Sequence, residues 1–111
     1  MEIIKIGEIP FAKTPWGVKG RPVIELPDVG IMNLILEPGE KVPFHKTPVD
    51  VLFQVIDGEG TVAIGDEAQQ VGTGEIVVSP ARIPHALEAN ANTTFSVLVI
   101  KVPNPKKKVK K

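Results

Sequence analysis

The chain has 111 residues, 42% hydrophobic and 23% charged, which is typical of one soluble globular domain. Because it contains no cysteine, disulfides, thiolate metal sites and a cysteine nucleophile are excluded. The formal net charge is zero, but residues 106–111 hold five of the 13 basic side chains, so residues 1–105 carry a balance of −5. An acidic body is a poor nucleic-acid surface, because such affinity comes mainly from neutralising phosphates.

Membrane and secretion signals are not evident. The apolar run 95–100 is far shorter than the ~20 residues that a membrane span needs. The N-terminus does not combine a basic start with a long apolar run, as a signal peptide would. We therefore expect a cytoplasmic protein with no membrane or nucleic-acid partner.

Short runs rich in Val, Ile and Phe, bounded by Gly, Pro, Asp and Asn, predict strands throughout the chain. In chain order the predicted strands are 2–6, 22–26, 29–37, 50–57, 60–66, 68–71, 75–79, 84–90 and 93–102. The segment Asp57-Gly58-Glu59-Gly60 is predicted to form a hairpin turn between two of them. Many short strands with almost no helix predict an all-β antiparallel sandwich or barrel.

The predicted organisation is a single barrel domain over 1–103, with an N-terminal arm over about 1–20. The arm holds the only tryptophan, Trp16, which we interpret as a cap on the barrel or a contact with a partner chain. Gating of a ligand is the alternative role for Trp16. The lysine-rich segment 104–111 is predicted to be a flexible tail, with binding to anionic partners as the alternative.

Two predicted strands, 50–57 and 93–102, are apolar on both faces. Strand 50–57 places Val51, Phe53 and Val55 on one face, yet Leu52 and Ile56 on the other are also apolar. Since a chain of this size has little material for a second layer, we predict a homodimer in which another subunit supplies it. A compact monomeric sandwich is the alternative.

Only two histidines are present, His45 and His85, and each follows a proline-containing stretch. Spacing alone leaves open that they are isolated surface or core histidines. An imidazole titrates near neutrality, so either one could also act as a general acid or base.

The residues around the two histidines resemble the two motifs of the cupin superfamily. Gly39 followed by five residues and then His45, with Gly58 at the closing position, is similar to the first motif. Gly74, Pro80 and His85 fall on the corresponding positions of the second motif. Together the matches span about residues 39–90, and the flanking strands extend the resemblance to most of the chain. The resemblance implies a small antiparallel β-barrel of the jelly-roll type, which is often dimeric.

The family pattern also implies a metal site inside the barrel, made by two His and one Glu of the first motif and one His of the second. Here His45 and His85 match the first and the last of these ligands. Thr47 replaces the second His, and Val51 stands at the Glu position. Thr47 and Asp50 are candidate additional ligands, although strand parity turns Asp50 away from the face of Val51 unless a bulge intervenes.

Three states of this site remain open. The first is a divalent metal (Zn, Mn, Fe, Ni or Co) held by His45 and His85 with water, Thr47 or an outside ligand. The second is a metal-free apolar pocket in which the histidines form hydrogen bonds, and the third is a pair of histidines with no chemical role. The pocket lining expected from strand parity consists of Val51, Phe53, Val55 and Leu87, which suits a small and partly apolar ligand.

Arg82 stands at the glycine position of the second motif, in the loop before His85. It is a candidate partner for a ligand carboxylate, and the alternative is a solvent-exposed arginine or one paired with Glu88. The catalytic residues are unknown at this level, because no nucleophile elbow, phosphate loop or dinucleotide motif is present.

Two main functions follow from these residues. The chain is either a metal-dependent cupin enzyme acting on a small organic molecule, such as an oxygenase, isomerase or decarboxylase, or a non-catalytic ligand-binding barrel without metal. A stable dimer with no ligand is a third interpretation of the same pattern.

Overall fold

The computed structural model describes residues 1–106, and strands dominate this part of the chain. The strands are β1 (Ala12–Lys13), β2 (Lys19–Glu25), β3 (Gly30–Leu36), β4 (Lys41–His45), β5 (Asp50–Ile64), β6 (Glu67–Gly72), β7 (Ile76–Ser79), β8 (His85–Ala89) and β9 (Phe95–Val102). The one helical element in this range is a short 3-10 helix, Ile6–Glu8. No helix within residues 1–106 has the length and apolar character needed to cross a membrane.

All strand pairs are antiparallel, and the main path through the sheet is β1-β2-β3-β9-β5-β8-β4, with β6 and β7 also paired to β5. The sheet curls so that alternate side chains face a shared interior. The expected all-β antiparallel barrel of the jelly-roll type is therefore confirmed.

Strand β5 joins the two halves of the barrel. Its first part pairs with β7 and β9, and its second part pairs with β6 and β8. The hairpin predicted at Asp57–Gly60 is wrong, because β5 continues through this segment for 15 residues. The pairing with β9 shifts register between Val55 and Asp57, and Gly58 adopts φ 85°. Gly58 and Gly60 therefore lie at a bend within one continuous strand and do not form a turn between two strands.

Gly58 is required at this bend for a second reason. A Cβ at this position would collide with the carbonyl oxygen of Thr94, just before β9 begins. Only a residue without a side chain lets the two backbones approach this closely.

The hydrophobic core fills the interior from the inward faces of the longer strands. Its residues alternate along each strand, as expected for a sheet with one buried face. The most buried apolar side chains are Leu36, Val42, Val51, Val55, Phe95 and Val97.

Two other strand predictions differ from the structure. Residues 2–6 form no strand, and Met1, Ile3 and Ile4 are exposed, because no neighbouring backbone pairs with them. Strand β4 is absent from the sequence-based expectation, since Pro43 indicates a break in a strand. The proline is tolerated because β4 is an edge strand.

The chain ends also differ in detail from their expected outlines. The arm over 1–20 contains β1 and the start of β2. Asn104, the first residue of the expected tail, is buried and donates to Glu25 (3.3 Å). Residues 107–111 of that segment lie outside the described residues.

The arm is held against the barrel by Arg21. The Arg21 guanidinium donates to Asn33 (3.0 Å) and to the Ile9 carbonyl (3.1 Å), and it lies 4.0 Å from the Phe11 ring centroid. Asn33 is fully buried and also donates to Ser96 (3.1 Å). These contacts fix the arm over one rim of the barrel, next to the candidate site.

Candidate functional site

Two neighbouring strands bring the histidines together. His45 ends β4 and His85 begins β8, and the two residues are direct partners in the β4–β8 pairing. The register shifts between Val42 and His45, so the end of β4 departs from regular geometry. Residues separated by 40 positions in sequence therefore share one end of the barrel.

The imidazole rings of the two histidines are in direct contact. Their Nε2 atoms lie 3.2 Å apart, and the ring planes are nearly perpendicular (84°). His85 is 2% exposed, whereas His45 is half-buried. The pair thus forms one polar unit that begins in the interior and ends at the rim.

The neighbours of the rings define where the protons lie. His45 Nδ1 is 3.0 Å from the Pro43 carbonyl, which can only accept, so we assign the proton of His45 to Nδ1. Its Nε2 is then an acceptor for an Nε2–H of His85. In this arrangement His85 Nδ1 accepts a hydrogen bond from the Ser79 hydroxyl, 2.8 Å away. Thr47 Oγ1 lies 3.3 Å from His85 Nε2 and completes the polar surroundings.

Burial keeps His85 neutral. The loss of solvent, together with the smaller effect of the charges of His45 and Lys101, lowers the pKa of His85 to about 4. The Phe53 ring stands perpendicular to the His85 ring at a centroid distance of 5.0 Å. At neutral pH this group is therefore an uncharged hydrogen-bonding partner in an apolar wall.

Trp16 of the arm covers the outer histidine. Its ring centroid lies 4.8 Å from that of His45, with an interplanar angle of 31°. Of the roles considered for Trp16, the contact with the barrel rim is the one seen within this chain.

A cavity of about 20 Å³ lies at the histidine pair, enough for about one water molecule. Its lining is apolar apart from the histidines, Thr47 and Lys101 and consists of Trp16, Met32, Leu34, Val42, His45, Thr47, Phe53, His85, Leu87, Val99 and Lys101. Phe53 and Leu87 of the expected lining are in this set. Val51 and Val55 are buried in the core instead.

Asp50 is not brought to the histidines. Its carboxylate accepts a hydrogen bond from the Ala81 backbone N–H (2.9 Å), and the residue is exposed. It caps the loop between β7 and β8 and holds the loop in place.

Arg82 has a backbone role in that same loop. It has φ 67°, and its N–H donates to the Thr47 carbonyl (2.8 Å). This left-handed conformation explains why the motif places a glycine at this position. The side chain is exposed, and it is not among the residues around the histidine cavity.

The donor set is small for a metal ion. No group of three or more His, Cys, Asp or Glu side chains that could hold a metal is found among residues 1–106. The site offers two imidazole nitrogens and the Thr47 hydroxyl, whereas Zn²⁺ or Fe²⁺ usually takes three or more strong protein donors. A metal at this position would therefore depend on ligands from solution or from a bound molecule.

Sequence reasoning missed two residues of the site, Ser79 and Lys101. Ser79 follows Val77 on the inward face of β7, and Lys101 follows Val97 and Val99 on the inward face of β9. Strand parity, the signal used for the pocket lining, would have placed both side chains inside the barrel.

Fold and site together define an antiparallel β-barrel with a histidine pair at one end of its interior. The family model described as "Cupin domain" matches residues 32–101. The chain therefore belongs to the cupin family.

Solved structures with the same fold come from several organisms. TT1209 from Thermus thermophilus is 24% identical, with a TM-score of 0.82 over 95% of this chain and 100% of that one. KdgF from Halomonas sp. is 18% identical, with a TM-score of 0.84 over 93% of this chain and 94% of that one. The polyketide cyclase RemF from Streptomyces resistomycificus is 17% identical, with a TM-score of 0.82 over 92% and 79% of the two chains. Among curated proteins, none matches this sequence.

Proposed function

We propose that this cupin binds a small organic molecule at the His45–His85 pair and needs no metal ion to do so. The observation that carries the proposal is the direct contact of the two Nε2 atoms at 3.2 Å. In a hydrogen-bonded pair each ring satisfies the other, and no cation is required to hold them together. Thr47 and Val51, at the two remaining positions of the family's metal motif, leave the site without a carboxylate.

The chemistry of the site favours a ligand with one polar group and an apolar body. The two imidazole rings and the Thr47 hydroxyl supply a few directed hydrogen bonds, while Phe53, Leu87 and Trp16 supply apolar contacts. A hydroxyl or carbonyl oxygen of the ligand would take the place of the single water for which the cavity has room.

Binding in the presence of a chelator tests this proposal. Untagged protein in EDTA is titrated with a library of small alcohols, amides and carboxylic acids, followed by protein NMR and by the emission of Trp16, the one tryptophan of the chain. We expect saturable shifts at His45, Thr47 and Trp16, and a marked loss of affinity in His45→Ala and His85→Gln. The exposed Lys41→Met variant, away from the cavity, is the matched control. Binding that ignores both histidine substitutions, or that requires added metal, would contradict the proposal.

A second proposal, a divalent-metal enzyme of the oxygenase, isomerase or decarboxylase type, is favoured by one observation. Both Nδ1 atoms have partners, Pro43 for His45 and Ser79 for His85, so both Nε2 atoms are oriented towards one point. Outer contacts of this kind orient the histidines in metal sites. Elemental analysis of untagged protein, before and after addition of Mn, Fe, Co, Ni or Zn, distinguishes the two proposals. Stoichiometric metal that is lost in His45→Ala supports the enzyme.

We also propose that the chain forms a homodimer through the outer side of β7. Ile76 and Val78 are 56% and 64% exposed there, and within residues 1–106 this strand pairs with β5 alone. Sedimentation at micromolar concentration should show a dimer that Val78→Lys dissociates. Leu26→Lys, which changes an exposed apolar residue in the loop after β2, should leave the dimer intact. A monomeric wild-type protein would contradict this proposal.

A further inference from the structure

A larger cavity adjoins the histidine cavity at the rim of the barrel. It has a volume of about 320 Å³, within the range of small-molecule sites. The strands β1, β2, β3 and β9 and the end of the described chain form its walls. We call it the rim groove, and its lining residues are Ala12, Lys13, Thr14, Gly20, Arg21, Pro22, Glu25, Gly30, Ile31, Met32, Val99, Lys101, Asn104, Pro105 and Lys106.

The rim groove and the histidine cavity share three residues. Met32, Val99 and Lys101 line both of them, so these side chains lie between the two spaces. Lys101 also stands close enough to His85 for its charge to lower the pKa of that histidine. A molecule in the groove would thus reach the polar centre of the barrel past Lys101.

The rim groove is basic, whereas residues 1–105 taken together are acidic. Among residues 1–106, its lining contains four basic residues, Lys13, Arg21, Lys101 and Lys106, and one acidic residue, Glu25. These basic residues are concentrated in one cavity although residues 1–105 carry a balance of −5. Such a cavity attracts small anions, because the field is focused where low-dielectric walls surround it.

Among residues 1–106, Lys101 differs from its basic neighbour Arg21 in having no hydrogen-bond or salt-bridge partner. Arg21 is committed to Asn33, the Ile9 carbonyl and the Phe11 ring. Lys101 is half-buried, and its side chain forms neither a hydrogen bond nor a salt bridge with any residue in 1–106. Burial lowers the pKa of Lys101, and Lys106 lowers it further while Glu25 raises it. An anion beside the ammonium group would offset the cost of that burial.

We propose that the rim groove binds a small monocarboxylate with an apolar body, whose carboxylate pairs with Lys101. The apolar part lies along Ile31, Met32 and Val99, and the carboxylate faces the histidine cavity. The inference deepens the proposed function and rests on it, since it assigns the ligand class of the same site. Lys101 is thereby the specificity-determining residue, because an ammonium group discriminates a carboxylate from its neutral analogue.

The test compares acids with their primary amides. Acetate, butyrate, hexanoate, benzoate and phenylacetate, each paired with the corresponding amide, are titrated into wild type, Lys101→Met, Lys101→Arg and Lys41→Met by protein NMR in EDTA. We expect at least one acid to bind more tightly than its amide, and Lys101→Met to weaken that acid about tenfold while its amide changes little. Lys101→Arg should retain most of the affinity, and Lys41→Met should match wild type. Unchanged amide binding and a wild-type pattern of backbone shifts show that Lys101→Met is folded.

The outcomes distinguish failure of carboxylate binding at Lys101 from failure of ligand binding at the histidine pair. If amides bind as well as acids and depend on the histidines, the proposed function stands and the carboxylate inference fails. If acids bind through Lys101 but ignore His45→Ala and His85→Gln, the anion site is real and the histidine proposal fails. If no acid binds at about 10 millimolar, beyond the range of the weakest specific affinities, the inference is overturned.

Discussion

The hydroxyl of Ser79 lies 2.8 Å from Nδ1 of His85, and both residues are buried, at 0% and 2% exposure. Ser79 ends β7 and His85 begins β8, so the contact ties together two strands that are joined by a loop and both paired to β5. Ser79 thereby fixes the orientation of the His85 ring through its Nδ1 atom, while His45 contacts the same ring at Nε2.

Ser79→Ala should lower the free energy of unfolding by about 1–3 kcal/mol, because Nδ1 of His85 is left buried without a partner. Thr73→Ala removes an exposed hydroxyl and should change stability by less than about 0.5 kcal/mol. Urea unfolding at pH 7 measures both variants. Equal stability of the two would show that the Ser79–His85 contact contributes nothing.

The stability of the protein should fall as the pH drops from 6.5 to about 4. The pKa of His85 is lowered from its ordinary value of 6.5 to about 4 in the folded chain, so the unfolded state binds the extra proton in this interval. The loss attributable to His85 is at most on the order of 3 kcal/mol. Urea unfolding across this range should show a shallower pH dependence in His85→Gln than in wild type. Parallel pH profiles for the two proteins would contradict a lowered pKa of His85 in the folded chain.

Gly58→Ala and Gly39→Ala form a matched pair. Both glycines have positive φ (85° and 80°), but only at Gly58 would a Cβ meet a neighbour, the Thr94 carbonyl. Gly39→Ala should therefore cost about 1 kcal/mol from backbone strain alone, and Gly58→Ala at least about 3 kcal/mol. Thermal and urea unfolding give the comparison. A Gly58 variant as stable as the Gly39 variant would mean that β9 can move away from β5 at little cost.

Arg82→Gly should be more stable than Arg82→Ala by about 1 kcal/mol, because φ is 67° at this position. The affinity for carboxylates should be unchanged in both variants, since Arg82 is exposed and lines neither the histidine cavity nor the rim groove. Urea unfolding measures the stability of the two variants, and NMR titration with the carboxylates measures their affinity. Weaker carboxylate binding in both variants would show that the Arg82 side chain contributes to ligand binding.

The sequence was sufficient to predict the fold class and the positions that the two histidines occupy in the family motifs. The motif spacing around His45 and His85 carries that information even though 40 residues separate them. The bend in β5 could not be predicted, because Asp-Gly-Glu-Gly has the same local preferences in a hairpin and in a bulged strand. The distinction depends on Thr94, which approaches Gly58 from a distant part of the chain.

The partners of the histidines were harder to predict than the histidines themselves. Ser79 and Lys101 carry no motif, and only their inward parity on β7 and β9 marks them. The contact of Trp16 with His45 depends on how the arm folds back over the rim. That path is set by tertiary contacts such as Arg21 with the Ile9 carbonyl, which local sequence patterns do not encode.

The continuity of β5 has a consequence for how the molecule unfolds. Four other strands, β6, β7, β8 and β9, take backbone hydrogen bonds from this single stretch. Along the main path, the ribbon β1-β2-β3-β9 and the pair β8-β4 are joined only through β5, so its loss would leave two disconnected pieces. Partial opening at β5 is therefore disfavoured over complete loss of structure. The central amides of β5 should accordingly be among the slowest to exchange with deuterated solvent, at rates set by global denaturation.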